Sequence, residues 1–144
     1  MIFDHLKSLA MQDMAWMELP EVAPEAQLQL CPATEVNSRY FNAMLKRAGR
    51  RIRQMAKTDK ISAADAEANR NDDRALFPLY VLVGWTGIED DDGAEVPFSP
   101  EAAAEFCDQI PGYIFDRIRN FAATPERFVP DGEELPDPEA IAKN

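Results

Sequence analysis

The longest regular pattern in the chain lies between Thr34 and Lys57. Val36, Tyr40, Phe41, Met44, Leu45, Ala48, Ile52, Met55 and Ala56 recur at three- and four-residue steps, the spacing that gathers side chains on one face of an α-helix. Arg39, Lys46, Arg47, Arg50 and Arg53 fall largely on the rest of the surface. The pattern predicts a long basic amphipathic helix from Thr34 or Asn37 to about Lys57, weakened by Gly49, which costs about 1 kcal/mol against alanine in a helix interior. Upstream the period changes. Met14, Trp16 and Glu18 alternate with Ala15, Met17 and Leu19, and Gln27 to Cys31 alternates again, with a Pro- and acid-rich loop, Pro20 to Glu25, between them. Two short strands at about 14–19 and 27–31, paired as a hairpin, are the simplest reading, and so small a ribbon must pack on helices. Ile2, Phe3, Leu6, Leu9 and Ala10 sit at helical spacing and predict a short amphipathic helix at the start.

Thr58-Asp59-Lys60 breaks the long helix, and Ser62 can cap a second through Ala63, Ala64, Ala66 and Ala68. That portion is rich in alanine and charge, and reads as solvent-exposed or as a face for a partner. Hydrophobicity returns at Ala75, Leu76 and Phe77, after which Pro78 either kinks the helix or opens a new one over Leu79 to Val83. A strand from Leu79 to Trp85 stays open, because a short apolar run cannot be typed by period; helix is preferred.

From Val81 to Phe106 three local signals meet. An apolar run ends on Gly84-Trp85, the acidic stretch Glu89-Asp90-Asp91-Asp92 closed by Gly93 must surface as a turn, and Val96-Pro97-Phe98 dips back toward the core. Ser99 is a good N-cap, Pro100 suits a first turn, and Glu101 faces the positive end of the helix dipole, so a helix over about Pro100 to Gln109 is expected. Pro111 and Gly112 interrupt, then Ile114, Phe115, Ile118, Phe121 and Ala122 share one face of a last helix, Tyr113 to Ala123, with a final turn from Thr124 to Phe128. The stretch from Pro130, PDGEELPDPEAIAKN, has too little apolar surface to offset its ordering entropy. The expected fold is mainly α with a small N-terminal β-hairpin, an α+β chain with one compact helical domain over 1–129 and a flexible acidic tail over 130–144.

Charge sharpens this picture. The net charge is −11, which argues against nucleic acid as a partner, since phosphate binding rests on cationic neutralisation. The cations are gathered instead: Arg39, Lys46, Arg47, Arg50, Arg51, Arg53, Lys57 and Lys60 stand against Asp59 alone over that span, while acids dominate from Asp65 onward. The basic helix therefore folds against the chain's own acidic half or meets an acidic partner. No apolar run approaches the roughly 20 residues that span a bilayer, and acids interrupt the N-terminal apolar pattern, so neither membrane insertion nor a signal peptide is expected and the host cytoplasm is the expected compartment.

Little in the sequence carries chemistry. His5 is the only histidine, so hydrolytic triads lack their usual base. Cys31 and Cys107 have no ligand-like spacing and read as reduced, partly buried thiols. Placing Gly93 at the sixth position of a calcium loop puts Ile88 at the first ligand, which cannot coordinate. Glu101, Glu105 and Asp108 form a carboxylate cluster of the kind common on helix surfaces, and Gly84 and Gly87 precede acids rather than a phosphate-binding helix start. No enzyme activity, cofactor or metal is expected. The candidate partner-binding residues are Trp85, Val96 and Phe98, which either close the core beneath the acidic turn or expose part of an aromatic patch, and Arg47, Arg50 and Arg51 on the basic helix.

The block VLVGWTGI, the acidic turn with glycine and VPFSPEAA opening a helix resemble the tail assembly chaperones of long-tailed bacteriophages, prophages and related gene transfer particles. The order of elements from about Trp16 to Phe128 is similar too. The resemblance implies a mostly helical factor that binds the tape measure protein, keeps that long hydrophobic helix soluble and helps recruit tail tube subunits. It also implies that such proteins are often made in two lengths by frameshifting. The acidic proline-rich tail and Pro78 depart from the family pattern. Two other classes stand beside it: a virion component such as a head-tail connector or minor tail protein, and an acidic DNA mimic, which the basic helix disfavours. Apolar faces on several helices make self-association expected.

Overall fold

The computed structural model describes residues 2–130. The predicted tail lies outside the described residues except for Pro130.

The alternating segments form strands and pair. β1 (Ala15–Glu18) runs antiparallel to β2 (Gln27–Leu30) with Met17 opposite Leu28, so that Met17, Leu28 and Leu30 line the buried face while Trp16 and Glu18 point outward. The hairpin is part of a larger sheet. β3 (Leu82–Thr86) adds to the other edge of β2, giving the order β1-β2-β3. This corrects the preference for helix over Leu79 to Val83 at Leu82 and Val83, whereas Leu79 and Tyr80 are helical as preferred. The reason lies in the register: Leu30 faces Leu82 and Gln29 faces Gly84, which leaves Val83 as an extra residue in β3. A bulge of this kind resets the pleat. Leu82 and Trp85, three apart, both turn inward, although strict alternation would put them on opposite faces.

Four α-helices cover the sheet and one another. α1 (Ser38–Thr58) starts where the Asn37 side chain accepts from the Tyr40 amide, and stops at Asp59, whose φ of 54° is left-handed. α2 (Ala63–Tyr80) opens with a reciprocal capping box between Ser62 and Asp65. Pro78 neither ends α2 nor opens a new helix; it sits in its last turn, where the missing N–H strips one hydrogen bond close to carbonyls that are unpaired in any case. α3 (Pro100–Gln109) has the expected Ser99 cap, with the Ala102 amide 3.0 Å from Oγ. α4 (Gly112–Ala122) follows at once and leads to a 3-10 turn, Pro125–Phe128, that buries Phe128.

The core gathers around Phe77 of α2, which meets Tyr40 edge-on at 6.0 Å and Phe115 at 5.4 Å. Leu28 and Leu30 from the sheet, Val81 between α2 and β3, Cys107 from α3 and Ile118 from α4 complete it. The predicted first helix is only a 3-10 turn, Asp4–Leu9, and Ile2 and Phe3 before it and Leu6 and Leu9 within it are exposed; an apolar period without a surface to pack on does not sustain an α-helix of this length. Among the described residues no helix is long and apolar enough to cross a membrane.

Candidate functional site

The segment around Trp85 builds a groove. The strand end places Trp85 under the acidic turn, its indole Nε1 donates to the Val96 carbonyl oxygen at 2.8 Å, and its ring meets Phe98 edge-on at 5.0 Å and Phe106 at 5.4 Å. At 8% exposure Trp85 closes the core rather than standing out as an exposed patch. Val96 and Phe98 are half-buried beside it. Above the indole, an open groove of about 410 Å³ has Trp85, Ile88, Val96 and Phe106 in its floor and Glu89, Asp90, Asp91 and Glu105 on its rim.

Both sides of the groove are preset by backbone chemistry. The Val96 amide donates to the Ile88 carbonyl and the Asp90 amide to that of Ala94, which folds 88–96 back on itself. Asp90 Oδ1 accepts from the amides of Asp92 and Ala94, both at 2.9 Å, so one carboxylate shapes the turn that carries the others. At the end of β3, Gly87 has φ +70°, and a Cβ there would lie 2.2 Å from the Glu25 carbonyl oxygen, so only glycine fits the close approach of β3 to the loop before β2. Glu105, expected as one of a surface carboxylate cluster, accepts from Gln109 Nε2 and faces the groove. The contributions of Phe106 and Ile88 escaped the sequence reading; the four-residue step from Ala102 to Phe106 on the capped helix was the available signal.

The predicted basic residues divide. Arg47 Nε donates to Asp72 Oδ1 at 2.8 Å, and Arg51 donates to Asp72 Oδ2 and, from Nε, to Asn69 at 2.9 Å. Two of the three candidate arginines thus join α1 to α2, satisfying the chain's own acidic half, whereas Arg50 lies on the exposed side.

A polar network that the sequence reading missed holds three helices together. Asp73, 5% exposed on α2, accepts from the Tyr40 hydroxyl of α1 and from Arg119 Nε of α4, both at 2.7 Å. Burial pushes the Asp73 carboxyl above its ordinary range despite these two donors, and burial with the neighbouring Asp73 charge pushes the Tyr40 hydroxyl up as well. Asp116 of α4 takes both arms of Arg70, at 3.0 and 2.7 Å, and one of Arg119. The Arg70 hydrogen bonds hold its carboxyl below the ordinary range, and Asp116 in turn raises Arg70. Arg74 Nη1 donates to the carbonyls of Cys107, Asp108 and Ile110 and stacks on Phe115, placing positive charge at the negative end of α3. Cys107 is a free thiol that burial pushes up to about 12, and Cys31 is raised by burial and by Asp13.

These features define a small, mainly helical α+β protein that presents a shaped groove and a charged helix. It belongs to the YdaY prophage protein family, whose model matches residues 36–134, from just before α1 through the groove and α4. The match supports the phage side of the resemblance and does not reach to tail assembly. No curated protein matches the chain, and no solved structure does.

Proposed function

We propose that this prophage protein is a tail assembly chaperone that binds rather than catalyses, and that the groove over Trp85 receives an amphipathic helix of its client. The observation that carries the reading is the pairing of an apolar floor, Trp85, Ile88, Val96 and Phe106, with an acidic rim, Glu89, Asp90, Asp91 and Glu105. A groove of that composition favours a helix with an apolar stripe flanked by lysine or arginine. The resemblance of the Val81 to Phe106 block makes the tape measure protein the client, with the tail tube subunit as a second partner. The mechanism is holdase-like: the groove covers part of the client's stripe, and the chain's net charge of −11 keeps the complex soluble.

The test is co-purification of the tagged full chain from cells expressing the neighbouring genes, with mass spectrometry of what is recovered. A long helical protein and a tube subunit are expected. A double reversal on the rim, Asp91→Lys with Glu105→Lys, should cut client recovery about tenfold, the equivalent of 1.4 kcal/mol, with the urea midpoint unchanged because both side chains are exposed. Unchanged recovery would refute the groove as the client site. Finding the chain inside purified particles would overturn the chaperone reading in favour of a structural component.

A further inference from the structure

Around α1 the exposed residues sort into two strips. Tyr40, Met44, Ala48, Arg51 and Met55 turn toward α2. Beside them Phe41 and Leu45 are 38% and 43% exposed, and the strip bordering these two carries Lys46 and Arg53, both exposed, while Arg50 lies on the opposite side of the helix from Phe41. An apolar strip with cations along its free edge complements an apolar floor with carboxylates along its rim. In one molecule the two cannot meet: Tyr40 to Asp73 and Arg47 and Arg51 to Asp72 pin α1 to α2, while the groove is built from the end of β3, the acidic turn and α3.

We infer that a second copy of this chain occupies the groove, its α1 laying Phe41 and Leu45 over Trp85 and Phe106 and its Lys46 and Arg53 against the Glu105 and Asp91 rim. The surfaces joined are different on the two copies, so two copies either exchange both contacts across a two-fold axis or pass them on head-to-tail, leaving one groove and one α1 open until a ring closes. Assembly grows with protein concentration and weakens as salt screens the charged edges, whose range falls to about 3 Å at 1 M. Client and second copy compete for the same groove, so the client reading and this one share the rim but not α1.

The experiment uses the purified full chain alone. Sedimentation velocity over a concentration series should give an average mass that rises in low salt and returns to the monomer in high salt. Two double variants follow: Asp91→Lys with Glu105→Lys disables the groove, and Lys46→Glu with Arg53→Glu disables α1. Each should stay monomeric alone at concentrations where the parent chain associates, with unchanged urea midpoints. The groove variant carries less net negative charge, so general repulsion would make it associate more, not less. Mixing the two variants should give a dimer and nothing larger, because one working groove meets one working α1. A parent chain that is monomeric at every concentration, a groove variant that associates like the parent, or a mixture that yields no dimer overturns the inference. Client capture that survives in the Lys46→Glu and Arg53→Glu variant separates the two readings, since that variant keeps its groove.

Discussion

Replacing Asp73 with alanine tests the buried network most directly. Its two carboxylate oxygens serve Tyr40 and Arg119, one each, at 2.7 Å. Removing it strands the Tyr40 hydroxyl in a site only 6% exposed, a loss of about 1–3 kcal/mol for an unsatisfied buried donor. Arg119 keeps Asp116 at 3.0 Å and is a quarter exposed, so its share is discounted to about 1 kcal/mol. The carboxylate's own burial cost is relieved, which trims the total to about 2–3 kcal/mol, a large part of the 5–15 kcal/mol of an ordinary domain. Asp73→Asn keeps the shape and an acceptor for Tyr40, and should cost about 1 kcal/mol. Urea unfolding followed by tryptophan fluorescence reads both, and a cycle with Tyr40→Phe should show coupling of about 0.5–3 kcal/mol. The pH series adds a sign. Because the folded Asp73 carboxyl titrates above its unfolded value, its stabilising contribution is complete below the unfolded pKa and is lost as pH rises through the folded one. The advantage of the parent chain over Asp73→Asn should therefore shrink as pH rises through that interval. An alanine variant within 0.5 kcal/mol of the parent, about the size of a neutral surface change, would refute the reasoning, as would an advantage that grows with pH.

Asp116 behaves in the opposite sense. Its carboxyl is held down by Arg70, so its contribution is present above the unfolded value and lost as pH falls through the folded one; the gap between parent and Asp116→Asn in urea midpoint should close in acid. Gly87→Ala combines left-handed strain with a clash against the Glu25 backbone and should cost about 3 kcal/mol or more, read by thermal unfolding. Trp85→Ala should lower stability by about 3–5 kcal/mol, since it removes a core side chain and the donor to Val96; loss of client binding without loss of stability would contradict its placement. Cys107 should resist alkylation in the folded chain and react rapidly in urea, as burial raises its thiol to about 12.

The helices were legible because their signals are local. Asn37, Ser62 and Ser99 cap where short-range chemistry says they should, and the stripes of α1 and α4 repeat often enough to identify a period. β3 was not, because Val83 interrupts the alternation and its meaning depends on β2, far away in sequence. The site was half legible. Trp85 and Val96 mark the groove, but whether a tryptophan is a floor or a knob depends on what Phe98 and Phe106 do to it in three dimensions. The arginines carried the least information, since Arg47, Arg50 and Arg51 look alike in the chain and only the position of Asp72 separates them. Asp73 was hidden among Asn71, Asp72 and Arg74, a stretch that reads as a solvated helix face and is instead where three helices are joined.

The order β1-β2-β3 also governs when the molecule can become itself during synthesis. The hairpin emerges first, yet the edge of β2 that β3 occupies stays open until residue 86 has been made, with α1 and α2 already behind it. Non-local pairing of that kind slows folding and leaves a sticky intermediate in the meantime. The nascent protein thus spends part of its birth as an incomplete sheet with Leu28 and Leu30 lacking part of their cover. Ribosome-bound chains in which residue 86 has or has not cleared the exit tunnel should differ sharply in protease resistance, a boundary set by one strand rather than by chain length.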